Sequence, residues 1–142
     1  MAEISLNKAR KMIATIFRAG AEMELKPLSV VVVDAGGHVK AFERQDGAAP
    51  GRFPIAQGKA YGSVMLGLGG TAQQDRADVQ AYFYTAMSGV YDGKIVPVKG
   101  GVLVRNAKGE ILGAVGVTGD SSDNDLAAAL VGIEAVGLIG EG

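Results

Sequence analysis

The sequence contains a single histidine, His38, and it follows the turn Asp34-Ala35-Gly36-Gly37. Two adjacent glycines leave the backbone there uncovered, so a ligand can approach closely, and an imidazole beside such a turn has two kinds of chemistry open to it. It can bind a haem iron as axial ligand, or it can move protons near neutral pH. It can also simply begin a strand and hydrogen-bond to water or backbone. Asp34 has the reach to accept the N–H of Gly36 or Gly37 in an Asx-turn that fixes the loop. The same carboxylate could orient the imidazole or share a proton with a substrate. One histidine and no cysteine exclude sites built on several histidines, thiolates, disulfides or iron–sulfur clusters.

Arg44, Asp46, Arg52 and Lys59 gather in and around a loop rich in Pro and Gly. A guanidinium there suits the forked geometry that holds a carboxylate, although each of these cations could equally be a solvated surface charge. Lys59 and Tyr61 fall on one helix about 200° apart, so they cannot both face one ligand without help from a loop. Tyr82, Phe83, Tyr84 and Tyr91 are half of the chain's 4 Tyr and 4 Phe. Such a concentration suits core packing or the walls around a flat ligand. Asp75 and Asp78 share a helix face and read as an exposed acidic surface.

Gly100-Gly101 and the run from Gly113 to Gly119 match neither the dinucleotide nor the phosphate-loop pattern. The turn at 119–122 leads into a helix N-terminus, but Asp120, Asp123 and Asp125 already place negative charge there, against a phosphate. Glycine weakens a strand unless something must come close. The glycines therefore predict a ligand between the 36–37 turn and the 100–119 hairpin.

The elements that must position these residues follow from periodicity. Ser5 caps a helix of about 15 residues in which Leu6, Ala9, Met12, Ile13, Ile16 and Phe17 recur at spacings of three and four. A turn near Lys26-Pro27 ends it. The β-branched run 28–34 is a buried strand, and 38–44 alternates as the second arm of a hairpin. Residues 45–54 are loop, 55–66 are helix softened by Gly58 and Gly62, and 67–70 close it. Thr71 caps a short helical stretch at 73–78. Pattern alone allows helix or strand for 79–91; helix is the preferred reading. A short extended piece at 94–98 leads to the clearest hairpin, with strands at 101–105 and 111–117 around a turn at 106–110. Ser122 then caps a last helix, with Asp125 completing a capping box and 126–139 following. Hairpins mean antiparallel pairs, so the class is α+β, an antiparallel sheet with helices packed on it.

Length and composition agree. A chain of 142 residues is one domain, here 1–142. With 48% hydrophobic residues and a mean hydropathy of +0.21 it is not disordered, and 22 Gly with 4 Pro and no triplet period is neither collagen nor linker. Net charge −1 with scattered basic residues argues against nucleic acid or an anionic membrane as partner. Lys8, Arg10, Lys11 and Arg18 interrupt any secretory or membrane-spanning run, which predicts a cytoplasmic protein.

The segments VVVDAGGHVKAFERQDGA, IAQGKAYGS, VPVKGGVLVRNAKGEILGAVGVTG and SSDND, in that order and spacing, resemble the GlcG/HbpS family of small haem-binding or haem-degrading-like proteins. That family includes a C-terminal domain of some cobalamin adenosyltransferases. The resemblance implies a five-stranded antiparallel sheet flanked by helices, profilin/roadblock-like, assembling as a homo-oligomer. It implies a small-molecule ligand. The first expectation is haem or another tetrapyrrole, with His38 on the iron, Gly36 and Gly37 beneath it and Arg44 or Arg52 at the propionates. The alternative is a cofactor-independent lyase or isomerase of the hydroxylaminobenzoate lyase type. There Asp34, His38 and Tyr61 would handle protons at a subunit interface, and Arg44, Arg52, Lys59, Tyr84, Gly100 and Gly101 would hold an aromatic or hydroxy acid. The Glu-x-x-Glu iron pair of some haem-sensing relatives has no counterpart in this sequence.

Overall fold

Val30, Val31, Val32 and Val33 are all fully buried, and a strand apolar on both sides must be covered on both sides. The computed structural model describes residues 3–142 and shows how. In chain order the elements are α1 (Leu6–Glu22), β1 (Ser29–Asp34), β2 (Val39–Arg44), α2 (Arg52–Leu66), α3 (Gly70–Val79), α4 (Ala81–Val90), β3 (Gly101–Arg105), β4 (Ile111–Thr118), α5 (Ser122–Ala135) and β5 (Ile139–Glu141). The strands form one antiparallel sheet in the order β2-β1-β4-β3-β5.

The period of two divides the valines between two cores. Val30 and Val32 join Val102, Val104, Val115 and Val117 beneath α1 and α5, where Met12, Ile13, Ile16, Ala129 and Ile133 complete the larger core. Val31 and Val33 face the other way with Ala114, against Ala56 and Ala60 of α2. Each fully buried valine is worth roughly 1.5–3 kcal/mol, so this strand anchors the fold.

Ser5 caps α1 as expected, accepting the N–H of Lys8 at 3.1 Å. Gly67 ends α2 in the left-handed region, φ 65°. The favoured helix across 79–91 is α4, separated from α3 by Gln80.

Five local expectations are corrected. α2 starts three residues early, at Arg52, because Pro54 is tolerated in a first turn whose N–H groups have no helical partner anyway. Thr71 does not cap α3; the cap position is Gly69, and no side chain bonds there. Residues 94–98 form no strand and lie along α2, with Val96 N–H donating to the Gly58 carbonyl at 3.2 Å. The cap of α5 is Ser121, which accepts from Asn124 N–H at 3.2 Å, so Ser122 is already helical and Asp125 is turned inward. The last helix stops at Ala135 rather than 139: Gly137 turns left-handed at φ 76°, and residues 139–141 pair with β3 as the edge strand β5.

Candidate functional site

The β1–β2 turn builds a compact polar unit. Asp34 Oδ1 accepts from Gly36 N–H at 2.9 Å and from His38 N–H at 3.0 Å, while Gly37 N–H donates to the Asp34 carbonyl at 3.0 Å. Gly37 makes the reversal at φ 83°, a conformation that costs other residues strain. This brings the imidazole back over the carboxylate. His38 Nδ1 lies 3.1 Å from Asp34 Oδ1 and 3.3 Å from Oδ2. Slight burial pushes the Asp34 carboxyl up, but the N–H bonds from His38 and Gly36 and the nearby ring outweigh it and hold it below the usual range. An ionised carboxylate only accepts, so the shared hydrogen sits on Nδ1, and Nε2 takes no part in this contact.

The His38 side chain is 80% exposed and borders a cavity of about 430 Å³. Its walls are the 36–39 turn, Gln57 and Tyr61 of α2, and Lys94 from the segment after α4. Tyr61 is braced from behind by Tyr91, edge to face with ring centroids 6.2 Å apart. Gln57, Val39 and Lys94 were not anticipated. Gln57 had a signal, since it is one helical turn before Tyr61 on the same face. Lys94 is brought in by tertiary packing alone.

The cations expected here are elsewhere. Ser29 pairs with both Arg44 and Thr118, whereas Asp34 pairs with Gly113, so Arg44 and Thr118 mark the opposite end of the sheet from the His38 turn. Six residues of extended chain separate His38 from Arg44 by roughly 20 Å. Arg44 borders a different cavity, of about 530 Å³, with Phe17, Leu25 and Pro27. Arg52 is half-buried and donates to Thr118 Oγ1 at 2.9 Å. Lys59 is not a solvated charge: it is 3% exposed, and its Nζ donates to the Val117 carbonyl at 2.9 Å and to Asp125 Oδ2 at 3.2 Å.

Tyr84 is buried against Phe83, rings 5.8 Å apart, and does not border the His38 cavity. A side chain at Gly100 or Gly101 would meet Lys59 and Ser63, and one at Gly116 would meet the backbone of Ala56 and Ala60. Gly100, Gly101 and Gly116 thus let α2 lie close on the sheet, whereas Gly113 and Gly119 make room for the backbone of Val33 and of Pro27; among these turn and hairpin glycines Gly36 and Gly37 border the cavity. Asp75 and Asp78 are exposed on α3, and among the described residues no cluster of three or more His, Asp or Glu could hold a metal.

A five-stranded antiparallel sheet with α1 and α5 on one face and α2 on the other, carrying a carboxylate-bound histidine on its first hairpin, defines a small α+β module. The chain belongs to the HbpS-like family of haem-degrading proteins, which it matches over residues 4–134. It is similar to the uncharacterized 15.0 kDa Citrobacter freundii protein of the dhaT-dhaS intergenic region, 29% identical over 125 residues that cover 88% of this chain and 86% of that one. In fold it resembles a PduOC–haem complex, with TM-score 0.87, 21% identity and 99% of both chains covered. It also resembles an HbpS double mutant of Streptomyces reticuli, with TM-score 0.80, 24% identity and 96% and 88% of the two chains covered.

Proposed function

We propose that this protein binds haem or a related tetrapyrrole at the β1–β2 turn, with His38 Nε2 as the iron ligand. The observation that carries this reading is the hydrogen bond from His38 Nδ1 to Asp34, which orients the ring and directs its other nitrogen to a metal, as the partners of metal-ligating histidines do. Family membership and the fold shared with a haem-bound PduOC support it. The residues suit the group: Tyr61 and Val39 give a planar ligand an apolar wall, and the turn glycines let it approach. Bound haem would supply an iron centre; the chain supplies its ligand, its orientation and one cationic rim residue. Exposed apolar Tyr82 and Val90 on α4 support a homo-oligomer. Among the described residues no helix is long and apolar enough to cross a membrane. Haemin titration is expected to give a shifted Soret band that His38→Ala removes. No shift, or one that survives His38→Ala, overturns the reading.

A second reading draws on the same atoms. His38 and Tyr61 border one cavity, which brings together two side chains able to exchange protons for lyase or isomerase chemistry on a small aromatic or hydroxy acid. It requires turnover with no haem or metal added, lost in both His38→Ala and Tyr61→Phe.

A further inference from the structure

We infer that Lys94 is the residue that selects for a carboxylate on the ligand, pairing with it across the cavity from His38. This rests on reading the His38 cavity as the ligand site. Lys94 is the one Lys or Arg among the residues that border the cavity, and it forms no ion pair among the described residues. The acid of the site is already engaged, since Asp34 accepts from two backbone N–H groups and the His38 ring. The uncommitted charge facing a ligand is therefore positive, and an ammonium at the mouth of a mostly neutral cavity attracts an anionic group.

The position of Lys94 is set by the fold. Gly58 lets the 94–96 segment lie directly on α2: a Cβ at Gly58 would stand 3.0 Å from the Lys94 carbonyl and 2.5 Å from Val96 Cγ2. Val96 N–H donates to the Gly58 carbonyl, and Tyr91, three residues before Lys94, packs on Tyr61. The same segment thus braces the aromatic wall and delivers the cation, which matches a flat ring system bearing a carboxylate at its edge.

The test titrates wild type, Lys94→Ala and Lys94→Arg with haemin and with haemin dimethyl ester, at low and high salt. Lys94→Ala is expected to weaken haemin binding about fivefold at low salt, less at high salt, as befits an exposed ion pair. Lys94→Arg restores it, and the ester binds wild type and Lys94→Ala alike. Equal haemin affinity of wild type and Lys94→Ala, or an ester bound as tightly as the free acid by the wild type, overturns the assignment. A wild type that binds neither compound defeats the haem reading instead. Lys94 is then judged with benzoate against benzamide, followed by NMR of the one histidine ring: benzoate binding that Lys94→Ala abolishes upholds the assignment, and any other result overturns it.

Discussion

His38 Nδ1 and Asp34 Oδ1 are 3.1 Å apart although four residues separate them, because Gly36 and Gly37 fold the chain back between them. Asp34→Asn tests what this contact does. The amide oxygen can still accept from Gly36 and His38 N–H, so the turn survives. Nδ1 loses its anionic acceptor, however, and an amide N–H in its place would drive the ring proton to Nε2. Haemin affinity is expected to fall about 10–100-fold, the usual cost of removing a partner that orients a metal ligand. A circular dichroism spectrum like wild type would show the fold intact. An unchanged affinity would refute an orienting role.

Lys59 and Asp125 form a buried pair that ties α2 to α5 beneath the end of β4. Burial pushes Lys59 down while Asp125 pulls it back up; burial pushes Asp125 up while Lys59 opposes it. Lys59→Met is expected to destabilise by about 3–5 kcal/mol, because it strands a buried carboxylate. Lys59→Met combined with Asp125→Asn should recover most of that loss, since the amide oxygen can keep the bond from Asp120 N–H. Urea unfolding of the three proteins decides. A double variant no better than the single would mean that the pair itself stabilises.

Much of this was legible locally. The valine run, the alternating second arm and the Asp-Ala-Gly-Gly-His turn each carry their structure in adjacent residues, so both the hairpin and the Asp34–His38 unit follow from short-range rules. What failed was long-range. Arg44 and Arg52 sit near the turn in sequence, but an extended strand carries Arg44 away as fast as chain can go, and Arg52 is held to Thr118. Lys94, distant in sequence, returns because Gly58 leaves room for its backbone. β5 was unreadable because three residues with a single apolar side chain have no period, although Gly137 marked the helix end. At the head of α5, Ser121 and Ser122 are equally good caps by type. The inward pull of Lys59 on Asp125 accompanies a start one residue earlier.

Asp120 connects the α1–β1 loop to the start of α5. Its carboxyl is lowered to about 2 by hydrogen bonds from Asn124 Nδ2, Lys26 N–H and Ser121 N–H. A group whose folded pKa is depressed stabilises above its unfolded value, near 3.8, and that contribution fades as pH falls toward 2. The melting temperature of Asp120→Asn should therefore lie below wild type at neutral pH and converge on it between pH 4 and pH 2. A gap that stays constant across that range would show that the ionised carboxylate is not what matters.

Gly116 and Gly37 separate folding from binding. Gly116 lies in β4 directly under α2, where an added Cβ would run into the Ala56 carbonyl and stand 3.0 Å from Ala60 N. Helix and sheet backbones cannot both yield, so Gly116→Val is expected to cost about 3 kcal/mol, the upper end for overpacking. At Gly37 the obstacles are a positive φ and two flexible neighbours, Tyr61 and Met65, each 3.0 Å from the added atom. Gly37→Val should cost about 1–3 kcal/mol as strain at one residue. Its larger effect falls on the ligand, because the displaced Tyr61 is a wall of the cavity. Urea unfolding and haemin titration of both variants are expected to rank them oppositely: Gly116→Val worse in stability, Gly37→Val worse in affinity per folded molecule. A Gly37→Val protein that binds haemin like wild type would remove the β1–β2 turn from the site.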